Sequence, residues 1–446
     1  MAVVSRPPAA RPPSRGAPLG SGPTSGGATI SVLVIDVGTS SVRAAIVRPD
    51  GVVEHTTRRP LPPAFPAPGL VEFDADQMAA AALDAARQAL AAGGPVRGVG
   101  LTTQRASTVA WDPSTGRAVG PGIGWQDLRT AGACLELQSQ GLRLSPSESA
   151  TKYAWLLDTH DPGREGRIRL GTVDSWIAWH LTGGVLHVTD TTNAGVTGLL
   201  AADVEAGVEP GGAGGPYGAG DWNDALLDRL AIPRSTLPGI VASSGEVGPA
   251  TALPGSPPIC GVAGDQQASL VGQSCTRPGL VKATFGTGAM LDACVAERPD
   301  FAVRGEGGCF PIVAWSRAGR VTWGVEAIML SAGTAVDWLV HDVGLLRNAA
   351  QSEEVAASCD DTGGAVMVPA LNGLGTPAWD FGARGALLGV TRGVGRPQIV
   401  RAVLEGIAHR GADLLEAAER DTGLRPETLR VDGGMSANGV FLRALA

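Results

Sequence analysis

The stretch GVAGDQQASLVG, Gly261 to Gly272, sets one carboxylate and two amides among small apolar residues. Burying Asp265 without partners is costly, so its presence asks for a role. A carboxylate so placed can accept the proton of a substrate hydroxyl, as phosphoryl transfer requires when phosphates and metal are held elsewhere. It can also cap a helix running through QQASLVG. The two roles are compatible, because N–H groups at a helix N-terminus stabilise negative charge. Gln266 follows it directly and can contact the same substrate.

Two turns carry the residue types that hold phosphate. DVGTSSVR contains Gly38, Thr39, Ser40 and Ser41 between Asp36 and Arg43. It lacks the spacing of a P-loop. A glycine turn still exposes backbone N–H groups, and the three hydroxyls add donors. Asp36 could hold Mg²⁺ through water, and Arg43 could meet a negative charge. An ordinary β-hairpin with a polar turn accounts for the same letters. The second turn is FGTGAM, where Gly286, Thr287 and Gly288 suit the outer phosphates of a nucleotide. Further on, DGGMSAN offers a Gly433-Gly434 backbone that leaves room for a flat ring, with Asn438 as a polar contact. LTTQRAST places Gln104 and Arg105 past a strand, for hydroxyls or phosphate, or as a solvated loop. Trp125 in GWQDLRT could wall a polyol or sugar, or fill a core.

These residues need elements to position them. ISVLVIDVG, VRAAIVRPDG and VVEHTTR read as three meandering strands. DADQMAAAALDAARQALAAGG reads as an alanine-rich helix capped by Asp74 or Asp76 and ended by Gly93-Gly94. VRGVGLTTQ is then a strand. The pattern returns in GLVKATFGTGAMLDACVA, a strand, Gly-Thr-Gly turn and strand, with RVTWGVE as a third strand. RPQIVRAVLEGIAHRGADLLEAAERDTG is a helix ended by Gly423, followed by a short strand at LRVD and the start of another helix. Residues 1–28 read as a disordered Pro/Gly/Ser/Arg tail, Gly207 to Gly220 as a surface-loop insertion, and LPGSPP, Leu253 to Pro258, as a domain junction. The division expected is 1–28, 29–255 and 256–446, in an α/β protein of two folded domains.

A formal net charge of −8 argues against nucleic acid as a partner. Six cysteines lie far apart without CxxC spacing, which points to free thiols in a reducing cytoplasm. No apolar stretch approaches the roughly 20 residues that cross a bilayer. A Rossmann dehydrogenase is excluded, since DVGTSSV does not supply a strand, GxGxxG and helix.

Taken in order, DVGTSSVR, TTQR, GWQDLRT, SATKYAWLLD, GTVDSWIAWHLTGG, HVTDTTNA, GVAGDQQA, FGTG, VPALNGLGTPAWD, ARGALLGVTRG, LEGIAHR and RVDGGMSAN resemble the FGGY carbohydrate kinases, most of all their glycerol kinase branch. The resemblance runs from Ile30 to the last residue. It implies two ribonuclease-H-like domains of the actin/hexokinase type with ATP and sugar in an interdomain cleft. It implies an ATP- and Mg²⁺-dependent kinase of a small polyol or sugar, assembled as a homodimer or homotetramer. Asp265 is then the base, Asp36 lies near Mg²⁺, Ser40 and Arg43 near phosphate, Thr287 near the γ-phosphate, and Gly434 with Asn438 at adenine. Arg105, Trp125, Asp265 and Gln266 match the substrate clamp. The clamp departs from the glycerol kinase pattern at three positions: Ala106 stands for a glutamate, Ser147 for a tyrosine and Met290 for an aromatic residue. Smaller side chains suit a bulkier polyol or sugar. The chain stops at Ala446, inside the helix after GGMSAN, where the resemblance implies another strand and helix. A non-catalytic nucleotide or sugar sensor on the same fold is the alternative.

Overall fold

The computed structural model describes residues 31–201, 220–301 and 303–446. The expected tail and most of the glycine-proline insertion lie outside the described residues. The chain divides into two compact units. The N-terminal unit runs to Ala268 and takes in Val313–Val321; the C-terminal unit comprises Ser269–Ile312 and Thr322–Ala446.

In the N-terminal unit, β1 (Val32–Val37), β2 (Ser41–Val47) and β3 (Val53–Pro60) form the expected antiparallel meander. Leu33, Ile35 and Val37 are fully buried, and the two-residue period turns Asp36 away from that core. The helix α1 (Ala75–Gly93) is capped by Asp74, whose carboxylate accepts the Gln77 N–H at 2.8 Å. Its buried face is mostly alanine: Ala75, Ala79, Ala82, Ala85, Ala86 and Ala89, with Met78. Such short side chains let the helix lie close to the sheet. A Cβ at Gly93 would come within 2.5 Å of Ile46, so glycine is required at that contact. Next, β4 (Val99–Thr103) returns parallel to β1.

The junction expected at Leu253 to Pro258 is instead a hairpin connection. It joins β5 (Ser244–Pro249) to β6 (Pro258–Gly264), which pair antiparallel with Pro249 opposite Pro258. β6 then lies parallel to β4 with Gly264 opposite Thr103. This pairing keeps the chain in the N-terminal unit to Ala268, so Asp265 belongs there and not to the C-terminal part that begins at 256.

The C-terminal unit repeats the plan. β7 (Val281–Phe285) and β8 (Ala289–Cys294) form a hairpin. β9 (Arg320–Met329) pairs antiparallel with β8, and β10 (Leu429–Asp432) lies parallel to β7. A three-strand meander with a parallel strand beside its first member thus occurs twice, as the ribonuclease-H-like resemblance implied. The long helix, Arg396–Thr422, buries Val400, Val403, Leu404, Ile407 and Leu414 and ends at Gly423 in the left-handed conformation. No helix among the described residues is long and apolar enough to cross a membrane.

Candidate active site

The β1–β2 turn is closed by the Gly38 N–H donating to the Ser41 carbonyl at 3.0 Å. Ser40 is exposed and Thr39 half-buried, whereas Ser41 is buried where β2 begins. Ser41 is therefore part of the strand's packing and does not extend the exposed donor set. Asp36 and Arg43 stand opposite each other in register and form an ion pair at 3.0 Å. Loss of hydration raises the Asp36 carboxyl above its ordinary value; the Arg43 guanidinium opposes the rise, and the charge of Asp265 adds to it. Asp36 and Asp265, far apart in sequence, are thus within electrostatic reach of each other.

Gln104 corrects the sequence reading. It is 2% exposed, and its amide is engaged with the protein: Nε2 donates to the Gly38 carbonyl at 3.4 Å and Oε1 accepts from Ser107 at 2.9 Å. It is a strut under the β1–β2 turn and presents no open face. Arg105 and Ser107 are joined across Ala106 by a backbone hydrogen bond of 2.8 Å, which places Ala106 at φ +60°. An L-residue in that region is strained, and such strain gathers at functional sites.

Arg105 runs from this turn to Asp265, with Nε 3.6 Å from Oδ1. Gly264 makes room for it: a Cβ there would fall 2.6 Å from the Arg105 Cδ. Asp265 is not buried, as its apolar neighbours suggested, because 35% of its side chain is exposed. Asp265 is therefore open to an approaching molecule at its carboxylate. It opens the helix Asp265–Gly272 as the first helical residue, and its carboxylate accepts the Gln266 N–H at 2.8 Å. Gln266 is half-buried, while Gln267 is buried and donates to the Val313 carbonyl at 3.3 Å.

Trp125 is half-buried, so it is not a core residue. Its indole N–H donates to Thr39 at 3.3 Å, its backbone N–H to Ser107 at 2.9 Å, and its carbonyl accepts from Lys152 at 3.3 Å. Gln104, the β1–β2 turn and Trp125 are therefore joined in one network. Lys152 was missed by the sequence reading. It is fully buried on the helix Ala150–His160, and loss of hydration brings its ammonium down to about 7. Nearby, Arg129 grips the buried Asp127 at 2.8 and 2.9 Å, reaches Glu72 at 2.7 Å and lies over the Trp155 ring. Burial works to raise the Asp127 carboxyl, but its hydrogen bonds from Arg129 and Val71 hold it below the ordinary value.

The C-terminal unit has a cavity of about 410 Å³. Gly286, Thr287, Gly434 and Asn438 line it, as the sequence suggested, together with Gly333 and Asp337 of the helix Gly333–His341 and Glu353 of the helix Gln351–Ala357. The last three carried no signal in isolation, since only the fold brings them to the turn. Gly288 and Gly433 serve a different end. Their absent β-carbons would lie 2.6 Å from the Met329 oxygen and 2.3 Å from the Phe285 oxygen, so both permit backbone to pack on backbone. At Gly434 a Cβ would meet nothing within 4 Å. Asn438 is already engaged: its oxygen caps the final helix by accepting from Val440 and Phe441 at 3.0 Å, and its amide donates to Ser352 at 3.1 Å. A ring in the cavity would meet an asparagine fixed in place by these bonds.

Both parts of the chain match one family. The N-terminal domain of the FGGY family of carbohydrate kinases matches residues 31–272, and its C-terminal domain residues 281–446. The chain belongs to the FGGY family of carbohydrate kinases. It is accordingly an ATP-dependent carbohydrate or polyol kinase, a phosphotransferase with an alcohol acceptor. It is 40% identical to a glycerol kinase of Trichlorobacter lovleyi over 432 residues, covering 92% of this chain and 84% of the relative. A glycerol kinase of Alkalilimnicola ehrlichii is 41% identical over 435 residues, with 93% and 84% covered. Among solved structures, Plasmodium falciparum glycerol kinase with ADP superposes with a TM-score of 0.81 at 24% identity, over 94% of this chain and 84% of that one. Xylulose kinase from Rhodospirillum rubrum gives 0.74 at 23% identity, with 93% and 84% covered. At such identities the two structures attest the FGGY fold. The match also accounts for motifs that single residues left open, among them HVTDTTNA, whose Asp190 is fully buried.

Proposed function

We propose that this FGGY kinase transfers the γ-phosphate of ATP to a hydroxyl of a polyol or sugar larger than glycerol, with Asp265 as the base. The supporting observation is the half-exposed Asp265 carboxylate, 3.6 Å from Arg105 and electrostatically coupled to Asp36. Asp265 takes the acceptor hydroxyl's proton as the oxygen attacks phosphorus and the bond to ADP breaks. Arg105 orients the acceptor and pairs with Asp265, and Gln266 adds an amide contact. Trp125, tied at three points, offers its ring to the apolar face of the acceptor. Within the N-terminal unit, Thr39 and Ser40 offer hydroxyls suited to phosphate oxygens. Within the C-terminal unit, Gly286, Thr287 and Gly434 line the nucleotide cavity, with Asn438 beside the base.

The donor set fits Mg²⁺. Magnesium usually takes one or two carboxylates, waters and substrate phosphates, and no cluster of three His, Cys, Asp or Glu side chains occurs among the described residues. Asp36 and Asp265 would hold it, and it would neutralise phosphate charge during transfer. Six free cysteines, Cys260 among them exposed, fit a reducing cytoplasm.

Acceptor size rests on Ala106. The glutamate that the glycerol kinase resemblance implies there would accept hydrogen bonds from small-substrate hydroxyls, and alanine offers none. Coupled ADP release across glycerol, erythritol, pentitols, ketopentoses and hexoses tests this. A higher kcat/KM for a four- to six-carbon acceptor is expected; glycerol as the best substrate would overturn the assignment of size.

A further inference from the structure

The motif HVTDTTNA contains a buried charge that the proposed chemistry does not use. Asp190 is fully buried at the start of the short helix Thr191–Gly195. Five donors saturate its carboxylate: the Thr192 N–H and hydroxyl, the Asn193 N–H and side-chain amide, and the Ser243 hydroxyl, at 2.6 to 3.0 Å. That is more than a helix cap needs. Ser243 in turn accepts the Ser316 N–H and Ser316 accepts that of Ser243, both at 3.0 Å, so the charge fastens three separate segments.

One bond leads to the reaction. The Thr192 hydroxyl gives its proton to Asp190 at 2.8 Å, which turns its lone pairs outward; one of them accepts the Gly264 N–H at 2.8 Å. An ionised partner strengthens and orients such a chain of hydrogen bonds. Gly264 is the residue before Asp265, and it is also the residue whose missing Cβ seats the Arg105 stem. The same backbone point therefore fixes both members of the Arg105–Asp265 pair.

We propose that Asp190 and Thr192 are positioning residues for phosphoryl transfer: through the Gly264 N–H they hold Asp265 where it meets the acceptor hydroxyl. This rests on the reading of Asp265 as the base. A small displacement of a reacting group is enough to slow chemistry severely, by up to about 100-fold for 1 Å.

The test compares Thr192→Val, which keeps the shape and removes the hydroxyl, with Thr192→Ser, which restores it. Thr192→Ala serves as a second hydroxyl-free form should valine reduce the yield of folded enzyme. Rates are referred to sites counted by stoichiometric ATP binding. Thr192→Val is expected to lower kcat by about 10- to 100-fold while the KM for ATP stays within about threefold, with most of the rate recovered in Thr192→Ser. In an Asp265→Asn background, Thr192→Val is expected to cause no further loss, because its effect runs through that carboxylate. A kcat unchanged in both hydroxyl-free forms, or an equal further loss in the Asp265→Asn background, overturns the proposal while leaving Asp265 as the base. Near-normal turnover by Asp265→Asn alone overturns the base assignment and the proposal with it.

Discussion

The two Gly/Thr/Ser hairpins have the same strand plan and differ in what surrounds the turn. The β1–β2 turn is held by side chains: Gln104 under Gly38, Trp125 against Thr39, and Arg43 against Asp36. The β7–β8 turn is held by main chain. The Thr287 carbonyl accepts the N–H groups of Ala332 and Thr334 at 2.9 and 3.1 Å, and the Gly286 carbonyl accepts that of Gly333 at 2.8 Å. Glycines at 288, 333 and 433 allow this approach, since a Cβ at any of them would come within 2.6 Å of a backbone oxygen. A turn dressed in carboxylates and cations can handle protons and a metal. A turn held mostly by backbone, with one bond from the Thr334 hydroxyl to the Thr287 carbonyl, shapes one wall of a cavity that Asp337 and Glu353 also line. On the proposed reading, one topology, repeated, carries chemistry in one copy and recognition in the other.

If that division is right, variants of the first unit should strike kcat and variants of the second should strike nucleotide affinity. Asp265→Asn should show the largest effect, a loss of kcat of about 1,000-fold with ATP binding by calorimetry within about threefold of the parent. A loss of ATP binding instead would break the comparison. Gly433→Ala forces a Cβ against the Phe285 carbonyl at a residue with φ +85°. It should raise the KM for ATP by roughly 10- to 100-fold and lower the Tm by several degrees, because the DGG segment must shift. Unchanged acceptor binding would sharpen the comparison. Asp36→Asn should raise the Mg²⁺ concentration for half-maximal rate by about tenfold, read from a magnesium titration at saturating ATP. A normal titration would remove Asp36 from the metal site.

The smallest effect is on stability and separates fold from function. Asp174 is fully buried, faces Asp190 and Tyr153, and its carboxyl is pushed up to about 7 by loss of hydration, with Asp190 adding to the rise. Asp174 accepts from the Thr172 and Thr189 hydroxyls, and burial raises the Asp190 carboxyl as well, against the pull of its five donors. The folded chain thus binds a proton that the unfolded chain releases near pH 4, so stability falls as pH rises between about 4 and 7. Melting curves across that window should show the decline, and Asp174→Asn should lessen it, leaving the part that the raised Asp190 and Asp36 carboxyls contribute. The catalytic pH profile should not follow the same curve.

Much of this architecture was legible in the letters. The alternation in ISVLVIDVG, the Asp74 cap with its alanine helix, and the Gly423 stop are local signals, and local signals survive folding. The turns around Gly38 and Thr287 could be read for the same reason. What failed depended on partners distant in sequence. Asp265 was expected to be buried because its neighbours are apolar, yet the first residue of a helix at a strand end faces outward. Gln104 was expected to be open because it sits among polar residues, yet Gly38 and Ser107 close over it. Lys152 gave no hint, since an isolated lysine on a helix reads as solvated. The unit boundary was misplaced because LPGSPP has the composition of a linker and the geometry of a hairpin. Composition does not reveal which strand a segment will pair with.

The left-handed alanine at 106 bears on how acceptor preference can change. Its loop is closed by the Ser107 N–H on the Arg105 carbonyl and by the Ser149 hydroxyl on its own carbonyl at 3.1 Å, and the residue itself is buried, with 7% of its surface exposed. A longer side chain at that carbon therefore has to find room beside an Arg105 side chain that is itself only 11% exposed. On the proposed reading, a change of acceptor preference here would arrive together with a repacking of the loop.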